Sequence, residues 1–127
     1  MAGFAWYAAG GLRSTARDML RFGEANLGHK TVDQSPVPEE LTAAMQLAQT
    51  AIYTLPNGNN KQAMSWVVNL GNENAGARPV ILKNGGTVGF GSVIILNSAK
   101  DLALFIAINQ NRSKPAQVGI KIVRHLP

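Results

Sequence analysis

Three apolar runs in the second half of the chain constrain its fold most strongly. They read VILKNGG at residues 80–86, GSVIILN at residues 91–97 and DLALFIAIN at residues 101–109. Each run has the length and the β-branched content of one strand, and the polar SAKD between the last two fits a hairpin loop. Because the runs are apolar almost throughout, we expect an antiparallel sheet with both faces covered.

Two amphipathic helices are predicted before these runs. In LRSTARDMLRFGEANLG, Thr15 and Asp18 have the spacing of a capping box and Gly28 supplies a stop. Its apolar residues at helical spacing predict the face toward the core; they are Leu12, Ala16, Met19, Leu20 and Leu27. The second helix is PEELTAAMQLAQT, with two glutamates in its first turn, where the helix dipole favours acids.

A closing helix, KPAQVGIKIVRHL, is predicted to begin at Pro115, and AMSWVVNL near residue 66 has the composition of a fourth strand. The segments HKTVDQSPVP and YTLPNGNNKQ are predicted to be a loop and a turn. This order predicts an α+β fold, with helices packed on an antiparallel sheet of three to four strands. We expect one domain over residues 1–127, with a helical part at about 12–50 and the sheet and closing helix at about 62–126.

Composition argues against several functional classes. The net charge of +5 is scattered along the chain, and no aromatic residues alternate with basic ones, so we expect no nucleic-acid partner. No run approaches the roughly 20 apolar residues of a membrane span, and MAGFAWYAAGG lacks the pattern of a signal peptide. The chain has no cysteine, and His29 and His125 are isolated, so we expect no metal and no cofactor.

The segment KNGGTVGFGS, residues 83–92, contains four glycines and begins with a lysine. Glycine at a strand edge lets a ligand or another backbone come close, and Gly89 and Gly91 permit a sharp turn or a bulge. Lys83 beside such an edge can hold a carboxylate while the edge donates N–H groups to a carbonyl. The alternative from the residues alone is a glycine-rich hairpin with a solvated lysine. Trp66 and Phe90 are predicted to serve in core or sheet packing.

Four blocks of the sequence, in order, resemble the serine β-lactamases and penicillin-binding proteins, most closely the class C β-lactamases and related esterases. KNGGTVGFGSVIILNSAKDLALFIAINQN is similar to their lysine-threonine-glycine strand and the two strands after it. The other blocks are GGLRSTARDMLRFGEANL, then MQLAQT with MSWVV, then NQNRSKPAQVGIKIVRHL. The resemblance implies a partial β-lactamase-like fold, the C-terminal portion of a hydrolase whose family is often periplasmic.

The resemblance also implies roles for single residues. Lys83 matches the family's lysine near the nucleophile, and Gly85 matches its glycine. Gly86 matches the position whose backbone N–H is one oxyanion-hole donor. Asn84 departs from the Thr or Ser of the family, whose hydroxyl contacts the substrate, and Asn111 matches an asparagine near the substrate carboxylate. Lys83 is thus the expected catalytic residue, and the expected substrate-binding residues are Asn84, Gly85, Gly86 and Asn111.

The nucleophile motif of the family is missing from this sequence. Acylation requires a serine with a lysine three residues on, so that the amine can take the hydroxyl proton. The residues three positions after the six serines are Arg17, Pro38, Val68, Ile95, Asp101 and Ala116. Neither tyrosine is followed by x-Asn, the second family motif. The sequence therefore leaves open whether the chain alone hydrolyses a β-lactam or an ester.

Three interpretations of function remain open at this point. The chain is part of a serine hydrolase that binds a β-lactam, peptide or ester and is completed by a complementary chain. Alternatively, it is a non-catalytic, self-associating structural or binding domain, a homo-oligomer joined through an exposed sheet edge and helix face. A third interpretation is a small esterase that uses Lys83 and a serine across a dimer interface.

Overall fold

A computed structural model of the chain describes residues 11–71, 78–110 and 114–126. The helices are α1 (Ala16–Leu27), α2 (Glu39–Ala48) and α3 (Pro115–His125). The strands are β1 (Thr31–Val32), β2 (Ser35–Pro36), β3 (Tyr53–Thr54), β4 (Asn60–Gln62), β5 (Val67–Asn69), β6 (Val80–Thr87), β7 (Phe90–Asn97) and β8 (Leu102–Ile108). No helix among the described residues is long and apolar enough to cross a membrane.

The main sheet has six strands in the order β3-β4-β5-β6-β7-β8, and every neighbouring pair is antiparallel. The α+β class is confirmed, but the sheet is wider than the three to four strands predicted. The additional strands, β3 and β4, lie in the segment predicted to be a turn. They are short and mostly polar, so backbone pairing rather than an apolar pattern defines them. The predicted loop after α1 likewise contains a small hairpin, β1–β2.

Both faces of the sheet are covered, as the apolar runs predicted. On the α3 face, buried side chains of β6 and β7 pack with Val123 of α3; they are Val80, Leu82, Val93 and Ile95. On the α1 face, α1 supplies Met19 and Leu27, which pack against a buried group consisting of Ala63, Trp66, Ile94 and Leu96. The alternation of side chains along β6 and β7 therefore divides the core into two layers.

Helix α1 begins and ends as its sequence predicted. The Thr15 side chain accepts a hydrogen bond from the Asp18 backbone N–H at 3.1 Å, which caps the first turn. Gly28 has a φ of +91°, and its N–H bonds to carbonyl oxygens of the last turn.

The predicted apolar face of α1 is wrong at three positions, because Leu12 is 88% exposed, Leu20 is 47% exposed and Ala16 is also exposed. Leu12 precedes the first helical residue, and the helix meets the sheet through small residues instead. At Gly23, an added Cβ would stand only 2.6 Å from the Ala103 Cβ of β8. This close approach turns the helix so that Gly23, Ala25 and Asn26 are its buried residues.

Candidate functional site

The far half of β6, residues 83–87, has a strand neighbour on one side only. β5 pairs with β6 only at residues 80–82, whereas β7 continues the pairing as far as Thr87. On the β5 side, residues 83–87 therefore have no strand partner among the described residues, and their backbone N–H and C=O groups on that side are open. We call residues 83–87 the open β6 edge.

Gly85 and Gly86 leave the open β6 edge without side chains at two of its positions. Gly85 pairs with Ser92 of β7, and an added Cβ at Gly85 would stand 3.1 Å from the Ser92 hydroxyl oxygen. Gly86 pairs with Gly91 in a regular ladder, so Gly91 does not form the bulge that the sequence allowed. The predicted sharp turn is present at Gly89, whose φ of +85° is easily adopted only by glycine.

The predicted site residues on β6 occupy both faces of the sheet. Lys83 pairs with Ile94, whose side chain belongs to the α1 face, and Lys83 lies on that face with Gly85. Asn84 pairs with Val93 and lies on the α3 face with Gly86. The four residues thus share one strand edge, while the side chains of Lys83 and Asn84 leave it in opposite directions. The fifth predicted residue, Asn111, lies outside the described residues.

Beside Lys83, an open cavity of about 510 Å³ separates the start of α1 from the sheet. Its walls are mainly apolar, with side chains of Leu12, Met19, Phe22, Trp66 and Ile94, and Arg13, Ser14 and Asp18 line it as well. The rings of Phe22 and Trp66 stack, with centroids 6.2 Å apart and planes inclined by 12°. Trp66 is 7% exposed, so its predicted packing role is confirmed. Phe90, by contrast, is 59% exposed at the tip of the β6–β7 hairpin.

Ser65, immediately before Trp66, also lines this cavity and was not singled out from the sequence. Its φ of +63° is a left-handed conformation that residues other than glycine adopt infrequently. Backbone strain of this kind is found preferentially at functional sites. No sequence signal indicates it, because serine is common in ordinary turns and strands.

Asp18, which lines this cavity, belongs to a small network of hydrogen-bonded side chains that holds the start of α1. The Thr15 hydroxyl donates to the Asp18 carboxylate at 2.7 Å, and this bond, with help from Arg21, lowers the pKa of Asp18 below its ordinary value. Arg21 donates to Asp18 at 3.2 Å and also to Asp33. The hydrogen bond to Asp33 is the main cause that raises the pKa of Arg21. Asp18 thus acts as a capping carboxylate.

The two histidines lie apart, in structural contacts. His29 Nε2 is 2.8 Å from a carboxylate oxygen of Asp101, which links the end of α1 to the β7–β8 turn. His125 Nδ1 is 2.8 Å from the Lys121 carbonyl oxygen within α3. In the part of the chain that the structure describes, no group of three or more histidine or acidic side chains is arranged to hold a metal ion.

Comparison with known proteins identifies the family. The sequence profile of the Beta-lactamase family matches residues 1–126. The chain belongs to the beta-lactamase family. A "Beta-lactamase" of Lysobacter lactamgenus is 29% identical, over 94% of this chain and 36% of that protein. The chain therefore spans about a third of the length of this curated beta-lactamase.

Solved structures of this family share the fold. A class C beta-lactamase from Rhodobacter sphaeroides matches 86% of this chain with a TM-score of 0.66 and 22% identity. A second class C beta-lactamase matches 90% of this chain with a TM-score of 0.70 and 24% identity. In both, the match covers 36% of the solved chain. The structure is therefore a partial class C beta-lactamase-like fold.

Proposed function

We propose that this chain carries the substrate-binding strand of a β-lactamase-like serine hydrolase, and that the acylating serine comes from residues outside this sequence. The observation that carries the proposal is the open β6 edge, which begins at Lys83 and runs along two glycines. The substrate class is a β-lactam, a peptide or an ester with a carboxylate.

The edge offers the groups that such a substrate needs. Unpaired backbone N–H groups donate to an amide or β-lactam carbonyl, and the Lys83 ammonium attracts a carboxylate. Gly85 and Gly86 add no side chain, so the substrate can approach the backbone closely. In this proposal the Gly86 N–H stabilises the oxyanion that forms when a serine attacks the carbonyl. Asn84 contributes its amide from the opposite face of the strand.

The cavity beside Lys83 gives the apolar part of a substrate a place to bind. Leu12 is 88% exposed and Phe22 is 42% exposed, and both line this cavity, so a bound acyl group would remove their surface from water. The cavity combines a mainly apolar wall with two cations, Lys83 and Arg13, while the one carboxylate that lines it, Asp18, is already bonded to Thr15 and Arg21. This combination favours a ligand with an apolar acyl group and a carboxylate.

Acylation itself requires a serine activated by a neighbouring amine, and no serine in this sequence precedes a lysine at the family spacing. We therefore expect binding without covalent reaction when the chain is alone. In this interpretation Lys83 orders the substrate and the proton-transfer network of a complementary part that carries the S-x-x-K and Y-x-N motifs.

The test combines intact mass spectrometry with amide chemical-shift mapping of the ¹⁵N-labelled chain during titration with a reactive penicillin. We expect saturable shifts at Asn84, Gly85 and Gly86 and no covalent adduct, and a fluorescent penicillin should leave the chain unlabelled. Lys83→Met should weaken binding by about tenfold or more, the effect of losing one charge-assisted contact. Lys121→Met, on the exposed surface of α3, is the matched control and should bind as the original chain does.

Two outcomes would contradict the proposal. A stoichiometric adduct would mean that this sequence holds its own nucleophile. Shifts that are absent from β6, or that are unchanged in Lys83→Met, would mean that the open β6 edge is an inherited scaffold without a ligand.

A further inference from the structure

Two Asn-Gly pairs occur in the chain, and the fold holds them differently. Asn57 and Gly58 lie in the turn between β3 and β4, whereas Asn84 and Gly85 lie within β6. In such a pair the backbone nitrogen of the glycine can attack the side-chain amide carbon of the asparagine, because glycine has no side chain to obstruct the approach. The local structure decides whether the two groups meet.

In the β3–β4 turn, the Asn57 side chain folds back over the backbone that follows it. Its Oδ1 accepts hydrogen bonds from the backbone N–H groups of Asn59 and Asn60, each at 3.2 Å. This arrangement, an Asx turn, holds the amide carbon of Asn57 close to the Gly58 nitrogen. A Cβ added at Gly58 would have no atom within 4 Å, and Asn57 is exposed, so both the attack and the entry of water are unobstructed.

The same two hydrogen bonds stabilise the charge that develops during such an attack. When the nitrogen adds to the amide carbon, negative charge collects on the Asn57 Oδ1, at which two N–H donors already point. Donors arranged in advance around a developing oxyanion lower the barrier to addition. One contact opposes the reaction, because the Gly58 N–H donates to the Leu55 carbonyl oxygen at 2.9 Å and must release it. Leu55 and Gly58 both lie outside the paired strand residues.

Strand β6 keeps the groups of the second pair apart. Asn84 and Gly85 pair with Val93 and Ser92 in the continuous β6–β7 ladder. In a strand the side chain stands roughly perpendicular to the sheet, whereas the backbone nitrogen of the next residue lies in the plane of the sheet. The Asn84 amide carbon could therefore reach the Gly85 nitrogen only if this part of the ladder opened.

We propose that Asn57 is a site of spontaneous covalent modification, at which the chain converts this asparagine into aspartate and isoaspartate, while the fold protects Asn84. The Gly58 nitrogen loses its proton and bonds to the Asn57 Cγ, the Cγ–Nδ2 bond breaks, and ammonia leaves with a proton. The product is a five-membered succinimide ring. Water is the co-reactant that opens the ring: cleavage of the bond from nitrogen to Cγ gives aspartate, and cleavage of the bond from nitrogen to the main-chain carbonyl carbon gives isoaspartate.

The two products change the turn in different ways. Aspartate adds one negative charge and keeps oxygen atoms for the N–H groups of Asn59 and Asn60. Isoaspartate adds a methylene to the main chain, so the turn no longer matches the spacing of β3 and β4, which pair at only two positions. The Leu55 N–H, which bonds to the Asn60 carbonyl oxygen at 2.8 Å, should then exchange faster with solvent. The modification needs no ligand, so it is independent of the proposed function.

The test follows both asparagines by peptide-mapping mass spectrometry while the folded chain is incubated at a mildly alkaline pH. Synthetic peptides that contain each Asn-Gly pair give the rates without a fold, and isoaspartyl methyltransferase labelling distinguishes isoaspartate from aspartate. We expect Asn57 to react in the folded chain at least as fast as in its peptide. Asn84 should react about tenfold or more slowly than in its peptide. In concentrated urea the difference between the two sites should disappear.

A matched pair of variants tests the role of the N–H donors without changing Asn57 or Gly58. Asn59→Pro removes one of the two donors to the Asn57 Oδ1, whereas Asn59→Gln keeps it. Each rate is divided by that of a peptide with the same substitution, and Asn59→Pro should then be several-fold slower than Asn59→Gln. Asn57→Gln, whose cyclisation would require a six-membered ring, should leave the turn unmodified. Circular dichroism checks that each variant is folded.

Three results would overturn the inference. The first is a folded chain in which Asn57 stays intact while its peptide reacts, and the second is equal rates at Asn57 and Asn84 in the folded chain. The third is an Asn59→Pro variant that reacts as fast as Asn59→Gln. If Asn59→Pro fails to fold, the ratio of the rates at Asn57 and Asn84 in the original chain decides the matter.

Discussion

Phe22 of α1 and Trp66, the residue just before β5, stack with their ring centroids 6.2 Å apart. This contact joins α1 to the strand that pairs with residues 80–82 of β6. Phe22→Ala removes one ring of the pair and part of the cavity wall beside Lys83. Because Phe22 is 42% exposed, the loss is smaller than for a buried ring, and we expect about 1–2 kcal/mol of unfolding free energy. Urea denaturation followed by circular dichroism measures it.

Phe90→Ala is the control for that measurement. Phe90 is 59% exposed at the hairpin tip, so the same truncation should lower the unfolding free energy by about 0.5 kcal/mol or less. Equal losses in the two variants would mean that the stacked pair contributes nothing beyond ordinary surface burial.

Gly23 is expected to be the most restrictive position of α1. Gly23→Ala would raise helix propensity, yet its Cβ would stand 2.6 Å from the Ala103 Cβ, which is attached directly to the β8 backbone. The helix or the strand must move, so we expect a net loss of about 1–3 kcal/mol of unfolding free energy. Thermal and urea denaturation give the value.

A second substitution, Ala103→Gly, distinguishes this clash from other effects of the alanine. In the double variant the Ala103 Cβ that would clash with the new side chain is absent, so the loss of unfolding free energy should be smaller than the sum of the two single losses. At Gly119 of α3, the nearest atom is the Ile95 Cδ1, also at 2.6 Å, the end of a side chain that can change rotamer. Gly119→Ala should therefore lower the unfolding free energy less than Gly23→Ala does. A larger loss for Gly119→Ala than for Gly23→Ala would contradict the packing argument.

The parts of the fold that could be predicted from the sequence depend on local signals. Thr15, Asp18 and Gly28 define α1 because capping acts within one helical turn, and the turn at Gly89 follows from a backbone conformation that favours glycine. The strand β6, which contains Lys83, could be identified in the same way, since its apolar run and its glycines are contiguous.

The features that were missed depend on residues distant in sequence. The pair β3–β4 forms because β4 can pair with β5, and no apolar alternation marks it. The cavity beside Lys83 requires Phe22 and Trp66, which belong to separate segments. The exposure of Leu20 follows from the close contact of Gly23 with β8, which no helical periodicity reveals.

The cap of α1 should give the stability of the chain a dependence on pH. The folded-state pKa of Asp18 lies below its ordinary value of 3.8, mainly through the Thr15 hydroxyl. A lowered pKa means that the ionised carboxylate stabilises the folded state at pH values above the ordinary pKa. This contribution is lost as the pH falls through the folded-state pKa. Asp18→Asn should therefore lower the urea midpoint near neutral pH and have less effect at a pH below the folded-state pKa of Asp18, where the carboxyl group is protonated.

Thr15→Ala separates the cap from the charge. It removes the acceptor of the Asp18 N–H, and we expect a loss of about 1 kcal/mol of unfolding free energy near neutral pH. Ser14→Ala, one residue earlier, is the control, because its hydroxyl bonds only to the Thr15 carbonyl, at 3.4 Å. A Thr15→Ala variant as stable as Ser14→Ala would exclude a capping role.

Lys100, in the turn between β7 and β8, caps the end of α3. Its ammonium donates to the carbonyl oxygens of Val123 at 3.4 Å and Arg124 at 3.1 Å, and also to that of Leu126. These carbonyls have no partner within the helix, and a cation there also complements the helix dipole.

Lys100→Met keeps the aliphatic stem and removes the donors, so we expect a loss of about 1 kcal/mol of unfolding free energy. Amide hydrogen exchange should become faster in the last turn of α3 and stay unchanged in α1. Lys121→Met, on the same helix but exposed, should leave both rates as they are, and faster exchange throughout the chain would point to global destabilisation instead of a lost cap.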